Sequence, residues 1–551
     1  MDQPKVLIAV IFSLGILMIY PYVLRHFYPD MDKKSAEVTA VADQKAAPLL
    51  ETAATMEATT RETVRETAPV VVIPTKEELV TVETPLYRAT FSSIGGGIKS
   101  WVLKNYRTEL DSESAKIDII PHSSQHYSFA TAIAREGVKT AINFRPSAKS
   151  VTVSSGQDGT LSFVWVSPEG LRIEKRYVFS DADYMVDGKI IVSNGSGQPV
   201  NTKVTTDLAV YSPAPTKKAK GYSYHSGTVI YNDDNIERPD EDEAKEGFKG
   251  TPQWIGLEDK YFLAALLPKG DGKIEWSSDA TVEDEIRGSL TFPVSLSPAG
   301  RANFQYTAYI GPKEYNRLKA HNLHLEESIE FGMFSFLARP MLVALDFFYR
   351  YLGNYGIAII LLTVVIKVIF YPLSKHGLKS MKDMQRMQPQ MAALKQRYKD
   401  DKQRMNKELM ELYKRHKINP LGGCLPMILQ IPVFIALYEV LYVAIELRHA
   451  PFMLWIKDLS APDTLMVLPE ALPMLGGSAF GPLPLLMGAS MFLQQKMTPT
   501  AMDPAQAKMM MFMPVIFTFM FLNFPTGLVL YWLVNNILQV GQQYYIQKTA
   551  H

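Results

Sequence analysis

Residues 351–374 read YLGNYGIAIILLTVVIKVIFYPLS, a stretch that carries one charge, at Lys367. A bilayer's hydrocarbon core is ~30 Å thick and takes about 20 apolar helical residues to cross. The stretch therefore reads as a transmembrane helix. Working outward, distances between charged residues locate its companions. Lys417 and Glu439 bracket 21 uncharged residues, and Glu470 and Lys496 bracket 25. Lys508 and Lys548 bracket 39, interrupted by Phe524-Pro525-Thr526-Gly527, which fits two spans joined by a tight turn. Far upstream, Lys5 and Arg25 bracket 19. That segment lacks a small-x-small cleavage pattern and runs into Pro21-Tyr22, so residues 1–25 read as an uncleaved transmembrane anchor. Six transmembrane helices are expected, five of them in a core over residues 351–551.

Bulk composition hides this organisation. The 551 residues hold 57 basic and 56 acidic side chains and are 47% hydrophobic, an average over unlike regions. The single cysteine, Cys424, rules out an internal disulfide and any multi-cysteine metal site. Orientation follows from basic residues in short loops. Lys375 to Lys417 holds 13 of them against 5 acidic residues, so the connector over 375–418 is placed in the cytoplasm. Parity then puts the long region between the first two spans outside and both termini inside.

Residues 31–78 contain neither glycine nor an aromatic residue, while Ala and Thr supply 17 of the 48 positions. Such a chain buries too little apolar surface to offset its ordering entropy, so 26–78 is expected to be a flexible linker. From Leu79 to Pro312 the pattern becomes short alternating runs such as Leu161-Ser162-Phe163-Val164-Trp165-Val166, with turn signals at Asn194-Gly195 and Asp271-Gly272. This predicts a large antiparallel β-sandwich domain, on the outer side by the parity above. Residues 325–350 read as an amphipathic helix, with Ile329, Met333, Phe336, Leu337 and Leu345 near helical spacing. It can lie on the outer membrane face or dock on the sandwich. Within 375–418, Met381, Met384, Met391, Leu394 and Tyr398 form one stripe, and Met405, Leu409 and Leu412 another. Asp400-Asp401 lies between them, which predicts an antiparallel helical hairpin. The fold class is thus a multi-domain membrane protein, an α-helical polytopic core plus a large β-sandwich.

Lys367 is the sharpest functional signal. A lysine at the bilayer centre costs ~2.5–3.5 kcal/mol on insertion scales and normally faces water, a partner or a cavity. Its long stem can instead snorkel toward headgroups near Pro372. Glu439 is a poor partner. By helix rise Lys367 lies ~8 Å and Glu439 ~22 Å above the cytoplasmic helix ends. Thr363 sits four residues before Lys367 and shares its face. Gln430, Gln494, Asn523, Asn535 and Asn536 add polar groups, each of which alone reads as interhelical glue. Together with Lys367 they predict a hydrophilic concavity within the bilayer. Met487, Met491, Met497 and Met509–Met511 suit either ordinary packing or a surface adaptable to varied partners. Gly95-Gly96-Gly97-Ile98-Lys99-Ser100 lacks P-loop spacing, and no His-Glu-x-x-His or Gly-x-Ser-x-Gly occurs. No enzyme activity, cofactor, metal or specific nucleic acid is expected.

The segment Asn419-Pro420-Leu421-Gly422-Gly423-Cys424-Leu425-Pro426 with Gln430-Ile431-Pro432-Val433-Phe434 resembles the YidC/Oxa/Alb insertases. So do Glu446-Leu447-Arg448, Leu454-Trp455-Ile456-Lys457-Asp458-Leu459, Phe524-Pro525-Thr526-Gly527-Leu528 and Tyr531-Trp532. Upstream, Gly95-Gly96-Gly97, Trp101 and Tyr309-Ile310-Gly311-Pro312-Lys313-Glu314-Tyr315 resemble the periplasmic domain of Gram-negative members. The resemblance implies a multi-pass inner-membrane protein that accepts nascent membrane-protein segments in a groove and releases them into lipid, alone or with the Sec translocon. It implies Lys367 where the family usually has arginine, with Thr363, Gln430, Phe434, Met487, Trp532 and Asn535 along the substrate path. Trp532 stands where a tyrosine is familiar. With only Lys548 and His551 closing the chain, ribosome contact falls to the 375–418 hairpin, which also meets membrane lipids. Two rival classes are a channel or transporter, which predicts solute flux, and a membrane-anchored carbohydrate enzyme or binder, suggested by the likeness of the family's sandwich to sugar mutarotases.

Overall fold

A computed structural model describes residues 76–120, 127–135, 138–211, 227–269, 274–282, 285–399, 401–416, 425–467, 479–498 and 504–549. The expected anchor over 1–25, the linker up to residue 75, the Asp271-Gly272 turn and the Asn419–Cys424 part of the quoted motif lie outside those residues. By backbone contact the chain divides into two compact units, the larger comprising Pro69–Ala501 with Met511–His551.

Between Leu79 and Pro312 the strands form five-, nine- and six-stranded sheets. Among the described residues every ladder there is antiparallel except one, where Leu79–Glu83 runs parallel to Ser150–Thr152. Strand Leu171–Phe179 shows why the sheets stack. Its alternate residues Leu171, Ile173, Lys175, Tyr177 and Phe179 are buried, as a two-residue period requires of a strand covered on one face. The Phe91 ring of the five-stranded sheet meets Tyr177 edge-on at 4.9 Å. Thr131 of the six-stranded sheet accepts from Lys175 Nζ at 2.8 Å. Both smaller sheets therefore cover the same face of the nine-stranded one.

Lys175 is wholly buried there, and desolvation pushes its ammonium well below the usual lysine range. Its Nζ also donates to the carbonyls of Phe129 and Gly95, and Tyr177 Oη donates to Gly96 O. These bonds pin the Gly95-Gly96-Gly97 turn. Gly95 has φ +68°, and a Cβ there would stand 2.7 Å from Ala130 Cβ. The triple glycine thus serves backbone geometry. At the other predicted turn, the Asn194 side chain donates to Gln198 O and Ser297 O and accepts from Ser196 N.

The helices are α1 (Glu241–Glu246), α2 (Tyr315–Ala320), α3 (Ser335–Leu352), α4 (Tyr355–Arg386), α5 (Gln388–Arg397), α6 (Lys402–Arg415), α7 (Leu425–Val443), α8 (Leu483–Met497), α9 (Pro504–Phe521) and α10 (Thr526–Thr549). The amphipathic helix begins at Ser335, ten residues after the predicted start at 325. Leu325–Ser328 closes instead as a 3₁₀ turn with Ser328 Oγ on Leu325 O, and Gly332 (φ +64°) precedes the helix. Buried Ala338, Met341, Leu342 and Leu345 pack α3 against α4 and α7, while Phe336, Val343, Phe347 and Tyr351 form an exposed apolar stripe.

Helix α4 continues through Pro372 to Arg386, so the first arm of the hairpin prolongs the span. The return arm, α6, is capped by Asp401, whose carboxylate accepts from Arg404 N, and Tyr413 Oη meets Met391 Sδ at 3.7 Å. Helix α8 is shorter than the charge spacing implies. It begins at Leu483, after Gly481-Pro482, and 15 residues give ~22 Å against a ~30 Å core. Among the described residues one helix, α4, has both the length and the apolar composition to cross a membrane, with shorter apolar helical stretches at Leu429–Val443 and Met510–Phe521.

Candidate functional site

Polar residues on otherwise apolar helices define the site. Lys367 follows Val364-Val365-Ile366 and precedes Val368-Ile369, of which Val364, Val365, Val368 and Ile369 are exposed. Its own side chain turns into the bundle and donates to Gln539 Oε1 of α10 at 2.8 Å. The lysine therefore has a neutral amide partner, a contact that the charge-spacing argument did not foresee. The relevant signal is that Gln539 lies four residues after Asn535, on the same helical face. Among the described residues no carboxylate pairs with Lys367, and Glu439 lies instead beside Gly332, where a Cβ would stand 3.1 Å from its Oε1.

Aromatic residues form the second part. Phe434 of α7 meets Trp532 of α10 edge-on, with ring centroids 4.7 Å apart at 86°. Trp532 also contacts Phe517 at 6.1 Å and Phe521 at 5.1 Å, both from α9. Offset and edge contacts of this kind are worth about 0.5–1.5 kcal/mol beyond burial, so Trp532 joins three helices. One turn toward the start of α7, Gln430 Nε2 donates to Tyr531 Oη at 2.5 Å. Tyr531, Gln539, Phe517 and Phe521 are absent from the predicted set, yet each holds a member of it.

Two predicted residues behave differently. Thr363 is fully buried, and its hydroxyl donates to Ile359 O within its own helix at 2.7 Å. Met487 is also fully buried, in α8. Asn535 Oδ1 is buried without a partner among the described residues. Its neighbour Asn536 donates to Ser490 Oγ at 3.0 Å, and Gln543 donates to Thr498 Oγ1 at 3.0 Å. These two bonds join α10 to α8 and its C-terminal end as interhelical glue does. Tyr355 Oη and Asn316 Nδ2 both donate to Asp346. Tyr315 N donates to Glu446 Oε1 at 3.0 Å, so the Glu446-Leu447-Arg448 motif belongs to the junction with the β domain. Burial, reinforced by Asp346, pushes the Glu446 carboxyl up to about 8.

Residues 347–551 match the family described as 60Kd inner membrane protein, and residues 79–344 match the YidC periplasmic domain. The Membrane protein insertase YidC of Syntrophus aciditrophicus (strain SB) is 41% identical over 562 residues, covering 100% of each chain. That of Pelobacter propionicus is 43% identical over 490 residues, covering 88% of this chain and 89% of the relative. Among solved structures, an active YidC insertase crystal structure covers 87% of this chain and 94% of its own, with 19% identity and a TM-score of 0.37.

Proposed function

This chain belongs to the YidC family of inner-membrane protein insertases, and from that membership we propose that its α4–α10 helices receive nascent membrane-protein segments beside Lys367 and release them laterally into the bilayer. No covalent chemistry is required. The polar part of an arriving segment meets Lys367, Gln539 and Asn535 rather than hydrocarbon, which lowers its desolvation cost. Phe434 and Trp532 accompany the apolar part on its way to lipid, and Thr363, Gln430 and Met487 support the same path from within their helices. The domains act as the segments 1–25, 26–78, 79–312, 325–350 and 351–551, with six spans in all, both termini in the cytoplasm and the β domain in the periplasm. The 375–418 hairpin meets the ribosome and lipid headgroups, and the Sec translocon shares some clients.

The observation that supports this reading best is an ammonium group held inside an apolar bundle by a neutral amide, without a paired carboxylate among the described residues. A structural lysine would be expected to have a counter-charge; one that attracts acidic segments keeps its charge available. Reconstituted into proteoliposomes, Lys367→Ala and Lys367→Glu are expected to reduce insertion of substrates with short acidic translocated tails, the glutamate variant more severely. Normal insertion of several such substrates by both variants would refute the charge-attraction step.

A further inference from the structure

We infer that Gln539 is the positioning residue for Lys367: its side-chain carbonyl keeps the ammonium inside the bundle, beside a face of α10 that offers hydrogen bonds to an extended, acid-bearing polypeptide segment. The inference rests on the insertase reading above and assigns within it what selects the segment.

A lysine is a point charge with three donors on a flexible stem, whereas arginine carries a rigid fork. Placed five residues before Pro372, Lys367 has headgroups as a competing destination. The 2.8 Å bond to Gln539 Oε1 opposes that excursion. Because the acceptor is an amide, it satisfies one donor and leaves the positive charge uncancelled. A carboxylate forms a stronger, charge-assisted bond, so an arriving acidic group can take the place of Gln539.

The rest of α10 fits this assignment. Asn535, Gln539 and Gln542 are spaced by four and three residues and share one face. Asn535 Oδ1 and Gln542 Nε2 are buried without partners among the described residues, an acceptor and a donor flanking the lysine bond. Buried polar atoms left unpaired are costly, and an extended backbone supplies both the N–H and the C=O that would pair them. On the adjacent stripe, Asn536 and Gln543 donate through their amide nitrogens to Ser490 and Thr498, and Gln543 Oε1 is likewise buried without a partner among the described residues. One amide stripe thus binds the neighbouring segment, while the other holds an acceptor and a donor that have no partner among the described residues.

The test uses the full-length protein in proteoliposomes and two substrates whose translocated tails differ by a single Glu or Gln. The readout is the ratio of the two insertion yields. The wild type is expected to favour the Glu tail, with Gln539→Leu lowering the ratio about fivefold, the scale of one hydrogen bond, toward the value for Lys367→Ala. Gln539→Glu keeps an acceptor but cancels the charge, and is expected to lower the ratio below that of Gln539→Leu. If Gln539→Leu reduces both yields equally, Gln539 is structural and the inference fails. If Lys367→Ala shifts the ratio and Gln539→Leu leaves it intact, the inference fails while the groove reading stands. A wild type indifferent to the tail overturns both. Should Gln539→Leu fail to fold, Gln539→Glu decides, and an unchanged ratio refutes the assignment.

Discussion

Glu446 is an acid placed where its charge has little support. Its Oε1 accepts the Tyr315 N–H, its Oε2 has no partner among the described residues, and the carboxylates of Asp346 and Glu314 lie nearby. Glu314 is itself bonded to Arg317, which also pairs with Asp183. With the carboxyl raised from an ordinary 4.5 to about 8, the folded protein holds a proton at neutral pH that the unfolded chain releases. Stability from this group is therefore fully present below pH ~4.5 and is lost as pH rises through about 8. Glu446→Gln keeps an oxygen acceptor for Tyr315 and removes the titration. Its thermal midpoint in detergent should match wild type near pH 4.5 and exceed it progressively up to pH 8. The gain should reach a few kcal/mol, since one pKa unit is about 1.4 kcal/mol. Parallel pH profiles for the two proteins would show that the carboxyl titrates normally. The motif containing Glu446 was visible in the sequence, but its role was not, because its partner lies 131 positions away. Gln539 was missed for the same reason, at 172 positions from Lys367. Sequence periodicity reports which face of a helix is polar, and only the assembled bundle shows which polar groups meet.

At the scale of elements, local signals were more informative. The Phe524-Pro525-Thr526-Gly527 break separates α9 from α10 as expected, with Thr526 opening α10, because Pro and Gly act on the chain that carries them. Helix ends set by longer-range contacts were harder to read. The start of α8 is fixed by Asp463 Oδ2, which accepts from Leu483 N at 2.7 Å, and the 335 start of α3 follows a turn that apolar periodicity overran. Close helix contact makes a separate prediction. A Cβ on Gly488 of α8 would stand 1.9 Å from Thr518 Oγ1 of α9, and that hydroxyl is held on Pro514 O at 2.7 Å. Small residues let helices approach in this way. Gly488→Ala should cost about 1–3 kcal/mol through overpacking and lower the melting midpoint. Adding Thr518→Ala removes the obstructing hydroxyl and should recover most of the loss. A double variant no more stable than Gly488→Ala alone would mean that the strain lies elsewhere.

At the scale of the molecule, the question is what insertion requires from the β domain. Its buried apolar residues run on into those of the helical region, and polar contacts add to that packing. Arg448 donates to Thr108 O at 3.1 Å, and the Lys260 ammonium stands 3.7 Å from the centre of the Tyr442 ring. Both side chains carry charges that water can solvate if the contact is lost. Tyr315 and Asn316 differ, because they bond to Glu446 and Asp346, whose carboxyls burial raises above the ordinary range. Both lie beyond residue 310. Deleting 79–310 therefore leaves these two acids their partners and preserves α3 with its packing on α4 and α7. Extending the deletion through residue 334 removes both partners and leaves the acids underbonded, at about 1–3 kcal/mol for each buried polar group. The shorter deletion should support insertion near the wild-type level in proteoliposomes, and the longer one should lose both thermal stability and insertion. If the shorter deletion alone abolishes insertion while the purified helical region still melts cooperatively, the sandwich takes part in the transfer itself, and the activity cannot be assigned to residues 351–551 alone.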